Sequence, residues 1–470
     1  MIPKFFQRVR EINERQRKKS LKQSIKESGA YGSMVGFGET YVTPFAIALG
    51  ASNTQLGLLA SLPQLIGSFM QNLGARITDA TRERKSIVVK TVAYQILVWI
   101  PLFVLPVLIR SFSVNLVIAF FTLYFMLTHI GIPAWSSWMG DLVKENERSV
   151  FFGARNKVAS LSTFISFIIG GIILHLCSDW NLWVGFGILF TIAMAARWLS
   201  LTYLKRIHEP AYHAGKEGHF TLLQFVRRMR HNNFGRFVLF LTFMKLSVSI
   251  ASPFFSAYML RDLGFSYLTY IFLIGTVTVT SYITMLYWAK YGDRLGNRTI
   301  MMVTAIVICA VPVIWLVSTS PLYLFLVQIV SGFSWAGFNL SSANFLFDAV
   351  KPHNRAKCVA YQNVLTGIAI FIGSMFGSML AETVTAPRFM VSSLAVVFFI
   401  SGVARIISVA VLLPSVKEER DMKRADTRKV FWKLVAIRPI SGLIFQAVGG
   451  VETTYTQLRE GINYVGKGAT

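Results

Sequence analysis

The chain has 470 residues, of which 54% are hydrophobic and only 15% are charged. Soluble domains carry roughly 25% charged residues, so this composition excludes an ordinary soluble protein as well as a disordered one. Several apolar stretches of about twenty residues are long enough to cross a bilayer as helices, which predicts a multi-pass membrane protein.

Apolar runs with basic flanks predict twelve membrane helices and an all-α integral membrane fold. The first six lie near 27–50, 56–78, 87–109, 116–142, 158–177 and 183–206. The second six lie near 237–260, 266–290, 300–319, 321–347, 359–384 and 389–414. The domain organisation that we expect is a basic amphipathic arm, a six-helix bundle, a polar linker, a second six-helix bundle and a basic tail, at 1–26, 27–207, 208–236, 237–416 and 417–470.

The net charge of +25 raises nucleic acid as a partner, but its distribution favours a different interpretation. All but six of the 47 Lys and Arg residues lie in every second connection and in the two tails. Positive charge on alternate loops is typical of cytoplasmic segments, so we expect both termini in the cytoplasm of a cell (inner) membrane protein. The basic residues then contact the lipid bilayer, and we expect no nucleic-acid partner.

Residues that would indicate a metal site or an enzyme are sparse. The three cysteines, Cys177, Cys309 and Cys358, are far apart, which favours neither a disulfide framework nor a zinc site. The sequence has no Gly-x-x-x-x-Gly-Lys-[Ser/Thr] phosphate loop and no nucleophile motif at a membrane face. We therefore expect no cofactor, no metal and no enzymatic activity.

An internal repeat is the strongest pattern in the chain. Asp141 and Arg148 match Asp348 and Arg355 at a constant offset of 207 residues. Arg197 in the sixth span matches Arg405 in the twelfth at an offset of 208. An ordered series of matches predicts two homologous bundles in parallel orientation, related by a pseudo-twofold axis along the membrane normal.

A charged motif follows the eighth span and reads Gly292-Asp293-Arg294-Leu295-Gly296-Asn297-Arg298. It resembles the loop motif of the major facilitator superfamily, Gly-x-x-x-Asp-Arg-x-Gly-Arg-Arg/Lys, with Ala289 at the leading glycine and Asn297 at one basic position. A looser copy follows the second span, with Asp79, Arg82, Arg84 and Lys85. Together with twelve spans and the 6+6 repeat, the resemblance covers roughly residues 27–416.

The resemblance implies that Asp79 and Asp293 clasp a cytoplasmic gate in the outward-open state. An acid beside several arginines forms a charge-assisted contact that biases the conformation in which it is intact. Other charged residues at the same membrane face join this predicted gate: Arg84, Asp141, Arg148, Arg294, Arg298, Asp348 and Arg355. The alternative interpretation is that these are solvated loop charges that fix the topology.

Polar residues inside the spans divide into duplicated and single ones. Arg197 and Arg405 occur in both halves, so we assign them to the mechanism that the halves share. Glu39 is the only acid deep in a span, and its counterpart in the second half is Val248. Lys245 is the only lysine deep in a span.

Glu39 and Lys245 are the leading candidates for a substrate or proton site, because intramembrane ionisable groups are usually functional. A lone carboxylate in low dielectric can carry a proton. The resemblance implies that the first and seventh spans line a central cavity, where Glu39 and Lys245 would face each other. The alternatives are a structural ion pair between the two, or a Lys245 side chain that extends to the membrane surface.

Weaker candidates combine aromatic rings with amides, which bind sugars or amphiphilic molecules by stacking and hydrogen bonds. They are Gln64, Trp135, Trp335 and Asn339. Helix packing is the alternative role for each of them.

We interpret the sequence as that of a monomeric secondary active transporter that moves a small organic solute by alternating access, coupled to protons through Glu39. A rival interpretation is an exporter of amphiphilic drugs or lipid-like molecules, favoured by 38 Phe, 10 Trp and 16 Met residues that suit an adaptable pocket. A third is a membrane sensor that transports nothing.

Overall fold

A computed structural model describes residues 14–109, 112–144, 147–210, 221–350, 352–384 and 392–419. This part of the chain is helical and contains no strand. Its α-helices, in chain order, are α1 (Glu14–Met34), α2 (Thr40–Ala48), α3 (Asn53–Thr81), α4 (Arg84–Leu108), α5 (Ser113–Leu142), α6 (Arg148–Ser178), α7 (Leu182–Arg206), α8 (Leu222–Arg228), α9 (Asn233–Ser249), α10 (Phe254–Ala257), α11 (Tyr267–Leu295), α12 (Asn297–Ile314), α13 (Pro321–Ala349), α14 (Pro352–Thr383) and α15 (Leu394–Leu412).

Ten segments of the described chain are long and apolar enough to cross a membrane. The two remaining predicted spans, near 27–50 and 56–78, correspond to α1 with α2 and to α3. The first of these is interrupted, and its helix α1 begins with a strongly basic segment. The second carries amide and charged side chains along its length, such as Gln64, Gln71 and Asp79, which lower its hydropathy.

The helices form two six-helix bundles that share one packing scheme. In the N-terminal half, α1 packs on α6 and α7, α4 packs on α5 and α7, and α3 packs on α5. In the C-terminal half, α9 packs on α14 and α15, α12 packs on α13 and α15, and α11 packs on α13. The duplicated architecture predicted from the repeat is confirmed by these equivalent helix pairs.

The helix α1 begins at Glu14, so the described part of the predicted basic arm is continuous with the first span. Arg17 is buried and donates hydrogen bonds to Glu147 at 2.7 Å and to Glu14 at 2.6 Å. The bond from Arg17 lowers the pKa of Glu147, which precedes α6. Residues 1–13, and residues 420–470 of the predicted tail, lie outside the described residues.

A π-helical turn at Val35–Glu39 separates α1 from α2. π-turns within α-helices are rare and occur frequently at functional sites. Two glycines permit this turn to pack closely, because a Cβ at Gly36 would overlap the Thr163 carbonyl of α6 and one at Gly38 would overlap the Trp99 ring. The last residue of the turn is Glu39, whose backbone position is therefore set by packing on α4 and α6.

The two halves meet at one end of the molecule and separate at the other. We call the end where α1 and α4 begin and residues 207–210 lie the linker side, and the opposite end the far side. At the far side one apolar cluster joins both halves, with Phe45 and Phe186 from the first and Phe254 and Phe398 from the second.

Toward the linker side the apolar core divides. One cluster around Ile87, Trp138 and Leu204 belongs to the N-terminal half. Another around Phe237 and Phe345 belongs to the C-terminal half. The described structure is thus closed at the far side, with a separate core for each half at the linker side.

Polar contacts reinforce the closure at the far side. The Glu382 carboxylate accepts hydrogen bonds from the backbone N–H of Thr54 at 3.1 Å and from its hydroxyl at 2.6 Å. Arg261 donates to the Asn53 side chain at 2.9 Å, and the Ser378 hydroxyl donates to the Asn53 carbonyl at 3.2 Å. Each of these contacts joins one half to the other.

We expect Gly32→Ala to destabilise the N-terminal half, because the added Cβ would overlap the Ala159 backbone of α6. Overpacking of this kind costs about 1–3 kcal/mol. Thermal unfolding of the purified protein in detergent measures the effect. The matched control is Gly153→Ala, where a Cβ meets nothing within 4 Å; equal melting temperatures for both variants would contradict the helix contact described.

Candidate functional site

Glu39 is held by a neutral donor rather than by a cation. The Tyr124 hydroxyl on α5 donates to Glu39 Oε1 at 2.6 Å. Tyr124 is 1% exposed, whereas Glu39 is half-buried. Among the described residues, no basic side chain lies within ion-pair distance of Glu39.

Arg197 on α7 lies at the centre of a buried hydrogen-bonded network. Its Nε donates to Gln95 Oε1 at 2.9 Å, its Nη2 donates to the same oxygen, and its Nη1 donates to the Ser200 hydroxyl at 3.2 Å. The Gln95 amide then donates to the Thr128 hydroxyl at 2.8 Å, which donates to the Tyr124 carbonyl at 3.0 Å. The network therefore reaches the residue that binds Glu39.

The same network extends toward the linker side through an ion pair. Arg155 of α6 donates to Glu27 at 2.8 Å, and the Ser200 hydroxyl donates to the other oxygen of Glu27 at 2.9 Å. The Arg155 guanidinium lies 4.4 Å from the centre of the Trp135 ring. Glu27 is 3% exposed, so this pair is almost fully removed from water. We call the connected residues the N-half network: Glu27, Gln95, Tyr124, Thr128, Arg155, Arg197 and Ser200.

A cavity of about 200 Å³ lies inside the N-terminal half, beside the N-half network. Side chains from α1, α4, α5, α6 and α7 line it, among them Glu27, Tyr31, Gln95, Trp135 and Arg197. The Arg197 guanidinium lies 5.1 Å from the centre of the Tyr31 ring. Trp135, a weaker candidate from the sequence, therefore lines a polar cavity in one half.

The sequence analysis missed Glu27, Gln95 and Tyr124. Glu27 lies at the predicted boundary between arm and span, and Gln95 and Tyr124 are neutral residues in apolar helices. In an uninterrupted α-helix, Glu27 and Glu39 would point in directions about 120° apart. The π-turn inserts about one extra residue, which brings the two carboxylates close to one side of the first span.

The C-terminal half has different contacts at the equivalent places. Arg405 is 3% exposed and donates to the Ile308 carbonyl at 3.0 Å. The Lys245 ammonium lies 5.8 Å from the centre of the Trp335 ring. Within the described part of the chain, Lys245 has no carboxylate at ion-pair distance, so it does not pair with Glu39.

Two weaker candidates lie away from these groups. Gln64 is half-buried on α3, where its backbone carbonyl approaches Gly367 of α14. Asn339 is exposed on α13. The structure therefore does not bring Gln64 or Asn339 to the N-half network.

At the linker side, residues of the predicted gate bind within each half. The Arg84 side chain is fully buried, and its Nη1 donates to Asp141 at 2.5 Å. In the second half, the Asn297 amide donates to Asp348 at 2.8 Å. Arg84 and Asn297 are the first residues of α4 and α12, and the two aspartates lie near the ends of α5 and α13. Each hydrogen bond therefore joins the start of one helix to the end of its neighbour, at equivalent places in the two halves.

A repeated glutamate also caps these helices. Glu209 accepts from the Lys85 backbone N–H at 3.2 Å, and Glu418 accepts from that of Arg298 at 2.8 Å. An acid at a helix N-terminus satisfies an unpaired N–H and the helix dipole. The sequence analysis missed this pair, although the two glutamates are 209 residues apart.

The other gate candidates are placed as follows. Asp79 and Arg294 are exposed near the ends of α3 and α11, and Arg148 donates to the Gly140 carbonyl at 3.0 Å. The side chains of Asp293 and Arg355 lie outside the described residues. A gating role for these residues stays a prediction.

The family of the chain follows from comparison with known proteins. The family model described as the Major Facilitator Superfamily matches residues 30–248 and again residues 237–466. The chain belongs to the major facilitator superfamily. The two matches in this superfamily member correspond to its two six-helix halves, and the resemblance noted in the sequence is confirmed.

Several solved transporters share the fold of this superfamily member. The nucleoside transporter NupG has a TM-score of 0.64, with 14% identity, over 84% of this chain and 99% of that one. A D-xylose-proton symporter has a TM-score of 0.64, with 13% identity, over 86% and 98%. A bacterial homologue of the human lysosomal transporter Spinster, inward-facing and unoccupied, has a TM-score of 0.62, with 13% identity, over 86% and 98%. No curated protein matches the chain.

We expect Gln95→Leu to destabilise the N-terminal half, because two N–H groups of buried Arg197 lose their acceptor. Hydrogen bonds to charged groups contribute about 1.5–3 kcal/mol. The control is Thr128→Val, which removes an acceptor of Gln95 but leaves Arg197 bound. Thermal unfolding in detergent compares the two; a Gln95→Leu protein as stable as the control would show that the network is not structural.

Proposed function

We propose that the protein is a secondary active transporter that moves a small organic solute by alternating access and couples this movement to protons through Glu39. Membership of a superfamily of transporters supports the general activity. The D-xylose-proton symporter of similar fold supports the coupling. The observation that carries the proposal is the surroundings of Glu39.

Glu39 lacks the partner that a purely structural intramembrane carboxylate needs. Its described hydrogen-bond donor is the hydroxyl of Tyr124, which can bind an ionised or a protonated carboxyl group. A fixed ion pair would hold Glu39 in the charged form, whereas a neutral donor tolerates both forms. Glu39 is half-buried, so the residue is not fully enclosed by packing. These properties suit a group that binds and releases a proton during transport.

The N-half network offers a route between Glu39 and the linker side. Its hydrogen bonds run from Glu27 through Ser200, Arg197, Gln95 and Thr128 to Tyr124. The adjacent cavity of about 200 Å³ has room for several water molecules, each of which occupies about 30 Å³ in the liquid. Water molecules in this cavity could transfer protons between the linker side and Glu39 across gaps that the side chains do not bridge.

The packing of the halves supports alternating access. The core is continuous at the far side and divided at the linker side, which suits one end state of a rocking motion. The positive-inside pattern favours a cytoplasmic linker side, so we assign this state as open to the cytoplasm. The opposite state requires the far-side contacts of Glu382 and Arg261 to break.

We expect Glu39→Gln to abolish proton-driven accumulation, because a glutamine cannot release a proton, and to spare exchange of labelled for unlabelled solute. The measurement is uptake into proteoliposomes, with and without a pH gradient, for each member of a panel of nucleosides, sugars and organic acids that the wild-type protein accumulates. The control is Asp179→Asn, at an exposed far-side turn. Accumulation by Glu39→Gln against a gradient would contradict the coupling role.

We expect Glu382→Ala to shift the protein toward the state open at the far side, because Thr54 loses the acceptor that joins the halves. Spin labels at exposed Asn181 and Thr319, one in each half, report the far-side distance by electron paramagnetic resonance. The control is Thr383→Ala, whose hydroxyl bonds its own helix at Met379. An unchanged distance distribution in Glu382→Ala would rule out a role for this contact in closure.

A further inference from the structure

We propose that the transported solute is an organic anion with an aromatic or apolar body, whose negative charge binds Lys245 and whose body packs against Trp335. This inference rests on the proposed transport function and names the substrate class. The inference is drawn from the buried charges, which differ between the two halves although the halves are repeats of one fold.

In the N-terminal half, the two charges deep in the membrane region, Glu39 and Arg197, and the buried ion pair toward the linker side all have polar partners. Glu27 pairs with Arg155, Arg197 binds Gln95 and Ser200, and Glu39 accepts from Tyr124. The two acids and two bases named here balance in number. An ionic substrate is therefore not needed to neutralise it.

In the C-terminal half, the charges deep in the membrane region of the described chain are both positive. They belong to Lys245 and Arg405. The described acids of this half lie at the ends of the spans or beyond them; they are Asp262, Asp293, Asp348, Glu382, Glu418 and Glu419. Two positive charges without a carboxylate at their depth are unfavourable in a low dielectric, and an anion bound there would compensate them.

Lys245 is the less enclosed of these two cations. Arg405 is 3% exposed and donates to a backbone carbonyl, so it is enclosed by its own bundle. Lys245 is half-buried, and its described close partner is the face of the Trp335 ring. A ring face attracts an ammonium group but leaves its three N–H donors available for an anionic oxygen.

The position of Lys245 places it within about one helical turn of the depth of the proposed proton site. The repeat offset of 209 residues in the first and seventh spans makes Lys245 equivalent to Gly36, in the same π-turn as Glu39. Equivalent positions in parallel bundles lie at the same depth. The Lys245–Trp335 contact also joins α9 and α13 in the part of the molecule where the two halves have separate cores.

Charge compensation favours an anion over the other substrate classes. A cation would be repelled by Lys245, and a neutral sugar would leave the ammonium group without a counter-charge. An anion beside Lys245 is also compatible with a protonated Glu39, since the protonated acid does not repel it. Binding of the anion together with a proton follows from these two groups.

The test is thermal stabilisation of the purified full-length protein in detergent by matched compounds that differ in charge: benzoate with benzamide, indole-3-acetate with indole-3-acetamide, and phenyl phosphate with phenol. We expect the anionic members to raise the melting temperature of the wild-type protein and their neutral partners to have little effect. Lys245→Met should weaken the apparent affinity about tenfold to hundredfold, as expected for loss of a charged hydrogen bond. Lys245→Arg should retain part of it.

Two further variants sharpen the test. Lys90→Met, at an exposed position of α4, is the control for loss of a positive charge and should respond as the wild type does. Trp335→Phe should keep the response to aromatic anions, whereas Trp335→Ala should weaken it.

Three outcomes would overturn the proposal: anions stabilise Lys245→Met as strongly as the wild type, the neutral partners stabilise as well as the anions, or no anion stabilises the wild type. Loss of proton-driven accumulation in Glu39→Gln together with any of these outcomes would leave the transport function standing and remove only the substrate class.

Discussion

The cost of placing charge in a low-dielectric environment governs the interior of this protein. In the N-terminal half, polar side chains compensate the buried charges, since Glu27 binds Arg155 and Arg197 donates to the amide oxygen of Gln95. In the C-terminal half, Arg405 relies on a backbone carbonyl and Lys245 on an aromatic ring. The two halves thus share one helix-packing scheme but neutralise their buried charges differently, and the proposed substrate class depends on that difference.

What the halves share lies mainly at helix ends. In the first half, Asp141 binds the first residue of α4 and Glu209 accepts from the backbone N–H of its second residue. In the second half, Asp348 and Glu418 do the same for α12. Helix N-termini need acceptors wherever they occur, so a duplicated bundle retains these contacts in both copies. They hold the helices of each half together, which allows a half to move as one body.

Hydropathy and the internal repeat were sufficient to predict the helical spans and the two halves, because both depend on patterns along the chain. Glu39 could be selected for the same reason, as the only acid deep in a span. Its partner could not be predicted, because Tyr124 is neutral and is brought near by the packing of α5 and by a π-turn that hydrophobic periodicity does not reveal. The resemblance implied that Lys245 and Glu39 face each other across a central cavity, with an ion pair between them as the alternative. In the described structure they form no ion pair, and their described contacts are Trp335 and Tyr124.

Unequal halves are what a coupled transporter requires. If both halves carried the same groups, a proton and a solute would have no distinct sites in the two halves. Here the acid belongs to the first span and the less enclosed cation to the seventh, so their separation depends on the relative position of the halves. Protonation of Glu39 changes the field at Lys245 most when the halves lie close together. In the proposed mechanism, the free energy of binding a proton is thereby linked to that of binding an anion, and such a linkage is reciprocal.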